Sequence, residues 1–149
     1  MKLEIELIPK TSFFKNVRAL VTKEEWNFIK NQVYKRADYK CEICKAKGQS
    51  QGFAHSVECH EIWTYNHTSL IQNLEGLIAL CPLCHKVKHS GLTMKNDGVD
   101  LILDHLKLVN QINEYVAYQL LIDAFALWRV RNNFQWKLNT NYINKYLKQ

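Results

Sequence analysis

Two Cys-x-x-Cys pairs constrain this chain more than any other feature of its sequence. The first pair is Cys41 and Cys44, and the second is Cys81 and Cys84. Each pair places two thiolates on one tight turn, from which both can reach a zinc ion at about 2.3 Å. Four thiolates make a closed tetrahedral site, so the spacing predicts a structural Zn²⁺ that joins the two knuckles.

Whether the cysteines bind metal or form disulfides depends on the redox state of the cellular compartment. The fifth cysteine, Cys59, stands alone, and the first residues, MKLEIELIPK, carry acidic side chains that an export signal lacks. We therefore expect a cytoplasmic protein whose thiols stay reduced and bind metal, with disulfides as the alternative. The chain has no run of about 18 apolar residues, so no membrane span is expected.

A second set of candidate ligands follows the second cysteine pair directly. His85 and His89 are four positions apart, so on a helix they share a face and could hold one divalent cation. His60 lies between the knuckles in a β-rich segment. A site with few protein ligands stays open, as catalytic metal sites do, whereas a pair of surface histidines is the alternative. Of the other histidines, His55 is expected near this site, and His67 and His105 on the surface.

Hydrophobic periodicity predicts an α+β protein. The 149 residues, 47% of them hydrophobic, suffice for one domain with a buried core. Strands are predicted at 3–8, 56–65, 74–81 and 134–138, helices at 22–37, 82–89, 100–111 and 113–133, a loop at 66–73, and a final helical turn or two within 139–148. Residues 90–98 are expected to end the helix that carries the two histidines. The apolar stripe expected on the long helix comprises Tyr118, Leu121, Ile122, Phe125 and Trp128.

The motifs CEIC, ECHEIW and LIALCPLCHKVKH, in this order, resemble the HNH endonucleases. The resemblance is specific over residues 38–92, and the stretch VNQINEYVAYQLLIDAFALWRVRNNFQWKL is similar to the C-terminal part of a bacterial HNH branch. It implies one HNH nuclease domain over 1–149. That domain would have a zinc-stapled ββα-metal (His-Me finger) core at 38–92, flanking N-terminal and C-terminal helices, and a helical C-terminal extension at 93–149.

The resemblance also implies roles for individual residues. His60 falls on the general base that activates water, and His85 and His89 fall where the catalytic cation (Mg²⁺, Mn²⁺, Ni²⁺ or Zn²⁺) is bound. The residue before the base usually binds the metal, and here it is Cys59. A thiolate suits zinc but poorly suits Mg²⁺. A small buried hydrophobe is the alternative interpretation of Cys59.

One position departs from the family's pattern. The middle asparagine, which orients the base, normally precedes the second knuckle where this chain has Gly76. Asn73 is the nearest substitute, but its register differs. Glu58 or Glu61 could instead hold His60 in the required tautomer, with a solvated surface position as the alternative for each.

The charge balance favours a polyanionic partner. The formal net charge is +6, and cations that neutralise phosphates drive binding to nucleic acids. Lys86 and Lys88 are expected to contact DNA phosphates, with a solvated helix face as the alternative. The sequence thus predicts a metal-dependent DNA endonuclease, compatible with a homodimer. The rivals are a non-catalytic zinc-knuckle module that binds nucleic acid and a structural zinc protein that docks through its C-terminal helices.

Overall fold

The computed structural model describes residues 1–147, which combine helices with a three-stranded sheet in the expected α+β architecture. The helices in chain order are α1 (Val17–Leu20), α2 (Lys23–Arg36), α3 (Pro82–Lys88), α4 (Ser90–Asn96), α5 (Val99–Asn110), α6 (Glu114–Arg131) and α7 (Asn144–Leu147). The strands are β1 (Glu58–Asn66), β2 (Ile71–Leu80) and β3 (Lys137–Asn139). Short 3₁₀ turns lie at Lys10–Ser12, Gly48–Gln51 and Asn141–Ile143.

β1 and β2 form an antiparallel hairpin, and β3 joins β2 in parallel. The loop predicted at 66–73 is wrong in extent, because only a tight turn separates the two long strands. Ile62 pairs with Gly76 and Trp63 with Leu74, so the strands shift register and Glu75 has no partner in β1. Such a bulge bends the strand and increases its twist. Directly after β2 comes α3, so the chain runs strand, strand, helix through the two predicted metal sites.

The sheet separates two buried clusters. On β2, Ile78 lies in the cluster under α3, α5 and α6, whereas its neighbour Leu77 lies in the cluster under α2. On β1, Ile62 packs against the first cluster and Cys59 against the second. Alternation along a strand produces this division. The two faces predicted for β1 are thereby confirmed.

The N-terminal segment is not the strand that its alternating pattern predicts. Residues 1–9 have no regular secondary structure, although Leu3 is buried. The backbone groups of Leu3 bond to the side-chain amide of Asn110, at 2.8 Å each way, and the amide of Glu6 donates to the carbonyl of Lys88 at 3.3 Å. Helices rather than a neighbouring strand satisfy this backbone, so the segment crosses α5 and α3.

The predicted capping box at the start of α2 is confirmed. Thr22 Oγ1 accepts from the amide of Glu25 at 3.1 Å, and Glu25 Oε1 accepts from the amide of Thr22 at 2.9 Å. Pro82 occupies the first turn of α3, as expected from its fixed φ and missing N–H. The prediction that residues 90–98 end the helix carrying the two histidines is only partly right. A new helix, α4, begins at Ser90, where a simple termination was expected.

The C-terminal part is helical but exposes much apolar surface. On α6, Ala117 and Leu121 are buried, whereas Tyr118 and Ile122 are 52% and 44% exposed, so the predicted stripe is wrong for those two residues. The strand predicted at 134–138 is found, displaced, as β3. Helical turns follow to position 147, and position 148 of the predicted segment lies outside the described residues. Within 1–147, no helix is long and apolar enough to cross a membrane.

Candidate metal centres and active site

The four paired cysteines meet in one cluster. Their sulfur atoms all lie within 4.8 Å of one another. The Sγ atoms of Cys44 and Cys81 are 3.5 Å apart. A tetrahedral site with metal–sulfur bonds of about 2.3 Å has sulfur–sulfur edges of about 3.8 Å. The cluster therefore fits a metal ion such as zinc, and it lies within the core under α3 and α5.

Hydrogen-bond donors surround the sulfur atoms. The amides of Cys44 and Cys84 each donate to the first sulfur of their own pair, at 3.4 and 3.5 Å. Gln51 Nε2 donates to Cys81 Sγ at 3.2 Å. His105 Nε2 lies 3.2 Å from Cys84 Sγ, so the prediction that His105 is a surface residue is wrong. Donors of this kind stabilise thiolates and orient metal ligands.

The sulfur atoms cannot all ionise unaided. Hydrogen bonding with Cys44 lowers the pKa of Cys41 to about 6, whereas hydrogen bonding with Cys41 raises the pKa of Cys84. Thiols this close share protons, because several adjacent negative charges repel one another. A bound cation removes that repulsion and deprotonates its thiol ligands. The donor set thus matches a thiolate metal site in its electrostatics as well as its geometry.

Three histidines form the second cluster. Ring nitrogens of His60, His85 and His89 lie within 4.8 Å of one another. The Nε2 atoms of His85 and His89 are only 3.1 Å apart. Two imidazoles that bind one tetrahedral ion at about 2.0–2.1 Å are separated by about 3.3 Å. α3 ends at Lys88, but His89 caps it and its amide donates to the carbonyl of His85 at 3.1 Å, which keeps the two rings on one face.

The protonation of these rings suits metal binding. Glu58 Oε2 accepts from His85 Nδ1 at 3.0 Å, which leaves the Nε2 lone pair of His85 directed at His89. The same bond lowers the pKa of Glu58 and keeps it ionised. Burial, with the neighbouring rings, lowers the pKa of His89 to about 3, so this ring is neutral at pH 7. Neutral imidazole is the form that binds a metal ion.

His60 is held by a carboxylate from the N-terminal segment. Its Nε2 lies 2.9 Å from Glu6 Oε2, and Lys88 Nζ donates to the other oxygen, Glu6 Oε1, at 2.9 Å. Burial opposes ionisation of Glu6, but the bonds to His60 and Lys88 outweigh it and lower its pKa. Burial also lowers the pKa of His60, which is 3% exposed. Because an ionised carboxylate only accepts, Nε2 carries the proton and Nδ1 the lone pair.

The acidic residues predicted to orient His60 have other partners. Glu58 bonds to His85, and Glu61 accepts from the amide of Val17 at 3.0 Å and from the indole of Trp63 at 3.1 Å. Neither side chain therefore orients His60. The predicted neighbour His55 does lie near the site, with Nε2 3.5 Å from Glu58 Oε1.

Cys59 is not brought to the histidine cluster. It lies on the opposite face of β1 and packs in the cluster under α2, where burial raises its pKa to about 12. It stays a neutral thiol, as the alternative of a small buried hydrophobe expects. Asn73 is also absent from the site, because it lies near the turn and accepts from Asn139 Nδ2 at 3.0 Å. Gly76 pairs with Ile62 and offers no side chain.

The two lysines predicted to contact DNA both form ion pairs within the protein. Lys88 is buried, with a side chain 6% exposed, and its amine bonds to Glu6, so the expectation of a phosphate contact is corrected. Lys86 is partly exposed but pairs with Asp97 at 2.7 Å. The amine of Lys88 is thus paired inside the fold and is not available to a phosphate. The predicted exposed position of His67 is confirmed.

A large open cavity of about 1010 Å³ lies against the histidine cluster. His60, His85 and His89 line it, with walls from residues 6–18, α4 and the end of α6. Glu6, His105 and Gln51 are the site residues that the sequence analysis missed. Each acts on a partner distant in sequence, and only the acidic alternation at 3–8 drew attention to the region of Glu6.

Comparisons with protein families, with curated proteins and with solved structures find no match for this chain.

Proposed function

We propose that this protein is a metal-dependent DNA endonuclease of the HNH type, with a ββα-metal core made by β1, β2 and α3. The observation that carries the proposal is the convergence of His60, His85 and His89 at a large open cavity. One histidine comes from a strand and two from the helix that follows the hairpin. The net charge of +6 supports a polyanionic substrate.

His60 acts as the general base. Glu6 accepts a hydrogen bond from the protonated Nε2, so the lone pair of Nδ1 is free to take a proton from water. Burial favours the neutral ring, which is the form able to accept that proton. In the family the middle asparagine orients the base histidine. Gly76 has no side chain for this role, so Glu6 orients His60 instead. Lys88 keeps Glu6 ionised and fixes its position.

His85 and His89 hold the catalytic divalent cation. When bound, that cation stabilises negative charge on the attacked phosphate and the leaving oxygen. Glu58 fixes the tautomer of His85 and raises its basicity as a ligand. Few protein side chains would hold the cation, so the site would stay open to water and substrate.

The four-cysteine cluster holds a structural zinc ion that positions the active site. Cys81 caps α3, and Cys84 lies in its first turn, immediately before His85. A metal bound to both therefore fixes the start of the helix whose next residue is a catalytic ligand. Buried packing of the cluster and its closed donor set favour this structural role over catalysis.

Cleavage of DNA tests the proposal. Supercoiled plasmid and single-stranded circular DNA are incubated with the purified protein and Mg²⁺, Mn²⁺, Ni²⁺ or Zn²⁺. We expect His60→Ala to slow cleavage about 10²- to 10⁴-fold, the usual contribution of a general base. His67→Ala, which removes an exposed histidine beyond β1, is the matched control and should cut normally. Equal cleavage by wild type and His60→Ala would refute the assigned base. DNA binding without cleavage under any cation would favour the non-catalytic zinc-knuckle module.

Metal titration distinguishes a base from a third ligand. Calorimetry with Mn²⁺ on zinc-loaded protein measures the affinity of the exchangeable site. His85→Ala should abolish that binding, whereas His60→Ala should leave the affinity within about 10- to 100-fold of wild type, as for residues beside the ligands. Loss of binding in His60→Ala equal to that in His85→Ala would make His60 a ligand.

A further inference from the structure

The cavity beside the histidines, called the cleft below, is basic. Its lining includes Lys10, Lys15, Arg18 and Lys95, which come from the N-terminal segment, α1 and α4. Among residues 1–147, none of these four forms a salt bridge, although Lys10 lies over the ring of Trp128. All four are exposed. The cleft thus offers cations that are free to bind phosphates.

No free carboxylate offsets those cations within the described lining. The acidic residues there are Glu6 and Glu61. Glu6 bonds to His60 and Lys88, and Glu61 accepts from a backbone amide and an indole. The cleft is therefore positive in net charge, and cations gathered in a concave site attract a polyanion more strongly than the same charges dispersed.

Aromatic and aliphatic side chains line the cleft together with the cations. Phe13 lines the cleft and is 51% exposed, and the partly buried rings of Trp26, Phe125 and Trp128 also line it. Leu92 contributes an apolar surface that is 63% exposed. Cations that follow a backbone, combined with flat rings on which bases stack, are the features that bind single-stranded nucleic acid.

The burial of His60 argues against an intact duplex. His60 is 3% exposed, and the segment of residues 6–18 and α4 form walls beside it. A duplex is stiff over about 50 nm and keeps its bases stacked inside, so it does not present bases to Phe13. Given the nuclease function proposed above, on which this inference rests, we propose that the cleft binds single-stranded DNA. The phosphates contact the four cations, and a base stacks on Phe13.

Binding without cleavage tests this inference. Fluorescence anisotropy measures the affinity of protein loaded only with structural zinc for a labelled oligodeoxynucleotide of about 16 nucleotides, single-stranded or in duplex form. We expect the single strand to bind about tenfold or more tighter than the duplex of the same sequence. A duplex that binds equally or more tightly overturns the proposal.

Charge-matched variants locate the bound strand. The triple variant Lys15→Ala, Arg18→Ala, Lys95→Ala removes three cleft cations and should make the slope of log affinity against log salt shallower by about 2. The control triple removes exposed lysines outside the cleft lining and should retain more of the slope; its members are Lys35→Ala, Lys47→Ala and Lys137→Ala. Equal loss in both variants overturns the proposal, because it would mean that only net charge matters.

Adjacent phenylalanines provide a second matched pair. Phe13 lines the cleft, whereas Phe14 is 90% exposed and does not. Phe13→Ala should weaken single-strand binding about 5- to 150-fold, the range for loss of one stacked base. Phe14→Ala should leave it unchanged. An effect of Phe14→Ala equal to that of Phe13→Ala overturns the stacking site.

The two proposals fail separately. Single-strand binding that depends on the cleft cations, without cleavage under any cation, supports the binding groove and refutes the nuclease. Cleavage that depends on His60, with no preference for single strands and no effect of the cleft variants, supports the nuclease and overturns the groove.

Discussion

The buried ion pair between Lys88 and Glu6 provides a direct test of how the N-terminal segment is held. Lys88 Nζ lies 2.9 Å from Glu6 Oε1, and the two side chains are 6% and 21% exposed. At this distance the gross attraction is about 6 kcal/mol for an effective dielectric constant of about 20. Loss of hydration on burial offsets most of it, so the net contribution is smaller.

Lys88→Met keeps the aliphatic volume and removes the charge. Glu6 then retains its bond to His60 and some access to solvent, which limits the penalty. We expect the free energy of unfolding to fall by about 2–3 kcal/mol, at or below the range for fully buried pairs. Glu6→Gln leaves the more buried partner without its counter-charge, and we expect a loss of about 3 kcal/mol.

Urea denaturation at pH 7, followed by tryptophan fluorescence, measures these losses for both single variants and the double variant. We expect a coupling energy of about 2 kcal/mol from the double-mutant cycle. Lys86→Met is the matched control on the same helix. Lys86 Nζ lies 2.7 Å from Asp97, but the side chains are 31% and 32% exposed, so its loss should be about 0.2–1 kcal/mol.

Two results would refute the reasoning. Equal losses in Lys88→Met and Lys86→Met would mean that burial does not strengthen the pair. Strict additivity of Lys88→Met and Glu6→Gln would mean that the two groups do not interact, and Lys88 would have no part in keeping Glu6 ionised beside His60. Neither measurement requires catalysis, so both test the geometry alone.

Three further predictions concern the metal cluster, the sheet and pH. Cys84→Ser should lose bound zinc and cooperative unfolding, since zinc binding of about 10–16 kcal/mol rivals the stability of a whole domain. Metal analysis and circular dichroism measure these two properties, and a variant that keeps both of them would contradict the structural role of the zinc. Gly76→Ala should be neutral or stabilise by up to about 1 kcal/mol in urea denaturation. The added Cβ would lie 3.8 Å from Ile62 Cδ1 and 4.0 Å from the Tyr142 hydroxyl, which are ordinary contacts. A clear loss of stability would contradict the register of β1 against β2. His89 has a pKa lowered from 6.5 to about 3, so the unfolded chain binds a proton that the folded chain does not, and stability falls as pH drops below about 6.5. Between pH 7 and pH 5.5, without catalytic cation, wild type should lose about 1 kcal/mol more than His89→Gln; equal losses would mean that this ring is not buried in its neutral form.

The parts of the site that depend on short spacing were predictable. The Cys-x-x-Cys pairs, the capping box of α2 and the shared face of His85 and His89 all involve residues within one turn, where backbone geometry nearly determines which side chains meet. The same holds for the alternation on β1 that separates His60 from Cys59. In each case the pattern carries its own structural meaning, independent of the rest of the chain.

Long-range packing explains the errors. The alternation at residues 3–8 is that of a strand, but no strand of residues 1–147 lies beside it, and Asn110 and Lys88 satisfy its backbone instead. Lys88 reads as a surface cation and His105 as a surface histidine, since nothing nearby in sequence marks their buried partners. Local patterns do not state which elements will pack together.

The sequence by itself determined which cysteines and which helical histidines are candidate metal ligands, because two side chains on one tight turn or one helix face lie together without a distant partner. Only the tertiary structure decided which carboxylate holds His60, which lysines are free to bind phosphate, and that residues 6–18 make a wall of the cleft. Those outcomes depend on how an irregular N-terminal segment packs across α3 and α5. Hydrophobic burial is non-directional, so it drives such packing without leaving a periodic signature in the chain.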